Sequence, residues 1–143
     1  MPPPGIKARI ERFWRAVRRL ESLGELPPEK FMWDENAVDA AERNFQVAAE
    51  ALTDVGEFII SESRWRSPKS YREVGRILAE RGLLGEKQAK AFEEMIGLKH
   101  VLVHNYVYLE PKQLHETIRG SKGKFTELLQ VLLSYIDESG IDP

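Results

Sequence analysis

One short stretch carries most of the reactive chemistry in this sequence: Lys99, His100, His104, Asn105 and Tyr106. An unperturbed imidazole titrates at about pH 6.5, so it takes or gives a proton close to neutrality. A fixed ammonium stabilises negative charge that develops in a transition state, and a phenol donates a hydrogen bond to an anionic oxygen. His100 and His104 stand at i,i+4, a spacing that can hold a metal on a helix. No acidic or cysteine third ligand lies nearby in sequence, so no metal site is expected. The sequence contains no Walker loop, no Gly-x-Ser-x-Gly, no His-Glu-x-x-His and no dinucleotide fingerprint, and no cofactor is expected. The remaining histidine, His115, reads as a surface residue.

Geometry constrains how these groups meet. At about 100° per residue, Lys99 and His104 lie roughly 140° apart on a continuous helix. They cannot stack on one face. Either the helix breaks near His104, or a second subunit completes the site.

The elements that must position them are helical. The chain has 143 residues, 42% of them hydrophobic, which suits one domain over 1–143. Residues 1–6 and 139–143 read as flexible tails. There are no cysteines, so disulfides, thiolate sites and cysteine nucleophiles are excluded, as suits a reducing cytoplasm. No long apolar run spans a membrane, and the first residues lack the order of a signal peptide. The net charge of −2 excludes a polycation that coats nucleic acid, so any RNA contact is local.

Ile10, Phe13, Trp14, Val17 and Leu20 recur at helical spacing, and Ala41, Phe45, Ala48, Leu52, Val55 and Ile59 form a second, longer stripe. Residues 25–42 between them form an acidic linker and a helix start. Ser70 with Glu73 has the form of a capping box, opening a short helix with Tyr71, Val74, Ile77 and Leu78 inward. A fourth helix from about Glu86 to about His104 buries Ala91, Met95, Leu98 and Leu102, with Phe92 and Ile96 beside them. Pro111 opens a fifth, with a kink or break expected at Gly120–Gly123. The result is an all-α, up-and-down bundle of four to five helices.

Other charged groups have two readings each. Arg9, Arg12, Arg15 and Arg19 share a helix face that is either solvated or a wall tracking phosphates. Arg64, Trp65 and Arg66 offer cations and a stacking ring in a loop, for single-stranded RNA or for a partner. Arg43 is a candidate substrate-binding group, or the partner of a nearby acid. The acidic stretch 25–42 is a docking surface or a linker.

A cation, four residues, a histidine, one residue and a tyrosine, as in Lys99 to Tyr106, resemble the signature of HEPN-domain ribonucleases, and most closely the HepT-like toxins. Tyr71-Arg72-Glu73-Val74, Gly82-Leu83-Leu84, the block from Leu98 to Tyr106 and the helix opened by Pro111 follow that family in order and spacing. Arg43-Asn44-Phe45 fits as well, and the resemblance covers about residues 8–138. It implies a HEPN-like bundle and a metal-independent endoribonuclease acting on single-stranded RNA. Lys99, His104 and Tyr106 are then catalytic, and Arg43, His100 and Asn105 contact substrate. It also implies a homodimer joining two motifs in one cleft. The expected partner is a nucleotidyltransferase-fold antitoxin that modifies Tyr106 with AMP. The family's arginine position holds Lys99, which keeps the charge and loses the bidentate grip on phosphate. A weakly active or inactive binding subunit of the same complex is the alternative.

Overall fold

The computed structural model describes residues 5–104 and 109–143. Among them the chain forms six helices: α1 (Lys7–Glu25), α2 (Pro28–Met32), α3 (Glu35–Glu62), α4 (Tyr71–Glu80), α5 (Glu86–His104) and α6 (Pro111–Glu138). The all-α bundle stands, with five longer helices and the short α2 inside the stretch expected as a linker. Asp34 starts α3 by accepting from the N–H groups of Asn36 and Ala37 at 3.0 and 3.2 Å. These are two of the donors a helix start otherwise leaves unpaired.

Helix α3 is the central element and touches every other helix. Its stripe Ala41, Phe45, Ala48, Leu52, Val55 and Ile59 is wholly buried. Phe125 of α6 meets Phe13 of α1 edge-on at 5.8 Å and Phe45 of α3 at 5.1 Å. This arrangement suits the ring quadrupole. The small residues of α3 allow its neighbours to come close. A Cβ added at Gly56 would lie 2.8 Å from Val74 Cγ1, and one at Gly75 would lie 2.9 Å from the ring of Phe92. Helix α4 is therefore held close to α3 at Gly56 and close to α5 at Gly75.

Several expectations are corrected. Helix α6 runs unbroken through Gly120 and Gly123. Each glycine costs about 1 kcal/mol of helix propensity, but buried Ile118, Ser121 and Phe125 hold this turn on the core. Ser70 makes no side-chain cap bond. Glu73 instead accepts from Arg66 at 3.2 Å and from the Lys69 N–H at 3.4 Å. Tyr71 is 56% exposed rather than inward. Helix α5 buries Met95 as expected, together with Phe92 and Ile96 beside it, whereas Ala91, Leu98 and Leu102 are only half-buried.

His115 is buried rather than on the surface. Its Nε2 bonds to the Leu26 carbonyl oxygen at 2.8 Å, and its ring lies 4.9 Å from Phe31. Trp65 is half-buried beside Tyr135, 5.7 Å between rings, with the Arg81 guanidinium over it. It is a structural plug and not a free stacking platform. At the chain ends, Ile6 is buried and donates its N–H to the Pro143 carbonyl at 2.9 Å.

Candidate active site

Lys99 lies on the penultimate turn of α5, in a groove of about 290 Å³ lined by Arg9, Glu50, Thr53, Asp54, Tyr71, Ile96 and Lys99. Its ammonium sits 3.9 Å from Glu50 and 5.0 Å from the centre of the Tyr71 ring. The exposure of Tyr71 is thereby explained, because its ring faces a cation. Arg9 of α1 pairs with Asp54 of α3 on the opposite wall. Burial pushes the Asp54 carboxyl up from its ordinary value. The Arg9 guanidinium pulls it partly back, Glu50 adds to the rise, and Lys99 opposes it. Glu57, one turn further along α3, is also raised, first by burial and then by the charge of Asp54. The groove is thus a half-buried row of alternating charge in which the Lys99 ammonium is held in place.

His100 and His104 point elsewhere. Both are exposed, and their rings lie 4.3 Å apart along one face of α5. Helix α5 is continuous from Lys99 to His104, its last residue, and the break expected near that end falls where the described residues stop. One chain therefore does not bring Lys99 and His104 onto a common face. Asn105 and Tyr106 lie outside the described residues. Among the described residues, no group of three or more His, Cys, Asp or Glu side chains is arranged to hold a metal ion, and no helix is long and apolar enough to cross a membrane.

Arg43 stands two helical turns before Glu50, hence on nearly the same face of α3. It is exposed, and no carboxylate pairs with it among the described residues. Gly56 lies against Phe92 and Glu50 against Lys99, so α5 runs antiparallel to α3. Continued by the same register, the end of α5 at His104 comes level with the turn of α3 that holds Arg43.

A family model described as "Ribonuclease HepT-like" matches residues 14–132. The chain belongs to the HepT-like ribonuclease family. It is 22% identical over 125 residues to the mRNA nuclease HepT of Shewanella oneidensis, covering 87% of this chain and 92% of that one. Among solved structures, a tri-AMPylated Shewanella oneidensis HEPN toxin in complex with its MNT antitoxin superposes with a TM-score of 0.83. The identity is 22%, over 90% of this chain and 96% of that one. The cytosolic protein YutE of Bacillus subtilis matches with a TM-score of 0.80 at 20% identity, over 96% and 92% of the two chains.

Within this HepT-like chain, Glu50 and Asp54 are site residues that sequence reasoning missed. The available signal was their i,i+4 spacing next to the apolar stripe of α3, continued by Glu57. Acids on such a face need a reason to be there. Arg9 was legible only as one of a row of arginines, since its partner is distant in sequence.

Proposed function

We propose that the chain is a metal-independent endoribonuclease toxin subunit, acting as a homodimer and restrained by a nucleotidyltransferase-fold antitoxin. The observation that carries this reading is the coincidence of the HepT-like family match with two outward imidazoles at the end of the helix that holds Lys99. The related Shewanella oneidensis chain is described as an mRNA nuclease, and a solved HEPN toxin from that organism is AMPylated and bound to an MNT antitoxin.

The chemistry follows from the residue types. A base takes the proton of the RNA 2′-hydroxyl, and that oxygen attacks the adjacent phosphorus. The bond from phosphorus to the 5′-oxygen breaks, and an acid returns a proton to the leaving oxygen. The products are a 2′,3′-cyclic phosphate and a 5′-hydroxyl. His104 supplies proton transfer, and Lys99 stabilises charge on the phosphate oxygens. Because these two groups diverge on a single α5, a two-fold mate supplies the missing half of each site. Arg43, His100 and Asn105 contact the RNA around it. Tyr106 donates a hydrogen bond to phosphate. In the restrained state its hydroxyl attacks the α-phosphorus of ATP on the partner enzyme and releases pyrophosphate, and the attached AMP then repels RNA by bulk and charge.

The test is cleavage of single-stranded RNA by purified protein in excess EDTA. Cutting is expected, and His104→Ala is expected to abolish it with helicity unchanged. Cutting that requires an added divalent ion overturns the mechanism. The contact of Lys99 with Glu50 favours a second reading, a binding subunit with weak cleavage, since a lysine shared with a carboxylate grips phosphate less well. Absent cutting that Lys99→Arg restores selects that reading.

A further inference from the structure

The Lys99 groove does not end at Asp54. Arg9, Glu50 and Asp54 also line a narrow neck between α1 and α3, together with Arg12, Val47 and Ala51. Beyond that neck, one turn on along both helices, lies a cleft of about 410 Å³. Arg15, Arg18 and Arg19 of α1 edge it, and Leu23, Ala40 and Asn44 form much of its floor. Along the whole seam the positive groups come mainly from α1. Arg9 pairs with Asp54, whereas Arg12, Arg15, Arg18 and Arg19 make no ion pair among the described residues. Arg43 lies one turn from both Ala40 and Val47 on α3, so it faces the same seam from the other side.

We propose that the α1–α3 seam is the path of the RNA strand, with the Arg15–Arg19 cleft as a nucleotide subsite remote from the scissile bond. The proposal rests on the ribonuclease reading and extends it. Three features select RNA as the occupant. The arginines are unneutralised on a chain whose net charge is −2, so this positive surface is local and concentrated. They lie along one groove and not scattered, with Arg12 to Arg19 spanning about 10 Å of helix, room for a short run of nucleotides. The cleft floor includes Leu23, Ala40 and the buried Asn44, whose amide nitrogen is tied to the Ala40 carbonyl at 2.7 Å, so its apolar part suits a base stacked beneath a phosphate held at the arginine rim. The groove opens at its other end onto Lys99, where the cleaved phosphate would lie.

The experiment reads binding without cleavage. A labelled single-stranded oligoribonucleotide is titrated with His104→Ala protein across about 50–200 mM salt and followed by fluorescence anisotropy. Adding Arg12→Gln, Arg15→Gln and Arg19→Gln together should weaken binding by at least about tenfold. It should also lower the salt slope by about 2, at roughly 0.7 per lost phosphate contact on a single strand. The same three positions as lysine should keep the slope. Lys87→Gln, Lys90→Gln and Lys112→Gln, which remove equal charge elsewhere, should leave it unchanged.

Glutamine is a good helix former, so α1 should persist. If the triple variant fails to fold, each single variant should still lose about 0.7 of slope. An unaltered slope in the arginine variants, or an equal loss in both triple variants, overturns the proposal. So does RNA binding that survives while association with a nucleotidyltransferase partner is lost, because the seam would then be a protein-docking surface. Wild-type protein that binds RNA through these arginines and cuts nothing supports the seam while overturning the ribonuclease reading.

Discussion

Glu50→Gln should make the protein a faster ribonuclease. Glu50 contacts the ammonium that the proposed mechanism assigns to a phosphodiester, so the two should compete for it. The Lys99–Glu50 separation of 3.9 Å corresponds to a Coulomb attraction of about 1 kcal/mol in water and about 4 kcal/mol at an effective dielectric of 20. The side chains are 20% and 43% exposed, so solvent screens much of that, and such pairs are typically worth up to about 1 kcal/mol net. Releasing about 1 kcal/mol from the ground state raises the single-turnover cleavage rate about fivefold. Lys99 stays positioned after the change, because the Tyr71 ring still lies 5.0 Å from its ammonium. Cation–π contacts of this kind are worth about 0.5–1 kcal/mol. The assay is single-turnover cleavage of a short single-stranded RNA in EDTA at low salt, then at about 1 M salt. There the Debye length falls to about 3 Å and the advantage of the variant should shrink. A Glu50→Gln rate as low as that of Lys99→Gln refutes the competition, since Glu50 would then itself belong to the catalytic machinery.

Asp54→Asn should stabilise the protein more at pH 7 than near pH 4. Burial raises the folded-state carboxyl above its ordinary value, so the stability it contributes is present in the protonated form and is lost as pH rises through that raised value. Melting temperatures of the variant and wild type at both pH values check this, and a gap that narrows toward pH 7 contradicts it. Gly56→Ala places a Cβ 2.8 Å from Val74 Cγ1 and 3.2 Å from Leu78 Cδ1. Overpacking costs about 1–3 kcal/mol against a helix-propensity gain of about 1 kcal/mol. Denaturant unfolding should show a net loss of up to about 2 kcal/mol as α4 is pushed away from α3. A more stable variant would mean that this close approach does not set the depth of α4 on α3. Tyr106→Phe, incubated with a nucleotidyltransferase partner and ATP, should gain no AMP mass, whereas the wild-type peptide spanning Tyr106 should gain it. Equal modification of both assigns the reaction to another hydroxyl.

The sequence by itself determined the five longer helices, but not the short α2, and for the central ones which side faces in. Ala41, Phe45, Ala48, Leu52, Val55 and Ile59 recur at a period only a helix satisfies, and all of them are buried. The short motif from Lys99 to Tyr106 was legible as chemistry because histidine, lysine and tyrosine have intrinsic proton and charge properties that need no fold to be recognised. Periodicity also stated correctly that Lys99 and His104 diverge on an unbroken helix.

Only the tertiary structure decided what stands opposite. A helical period gives the angle of a side chain about its own axis and says nothing of which neighbour fills the space across from it. So Tyr71, inward by pattern, turned out to face the Lys99 ammonium, and His115, polar and therefore expected outside, was covered by α2 and the Leu26 carbonyl. Trp65 was drawn against α6 in the same way. Glu50, Asp54 and Arg9 became one site with Lys99 because α4 packs closely on α3 at Gly56 and on α5 at Gly75, which brings those two helices side by side. That arrangement depends on volumes from three helices at once, which no single segment of sequence encodes.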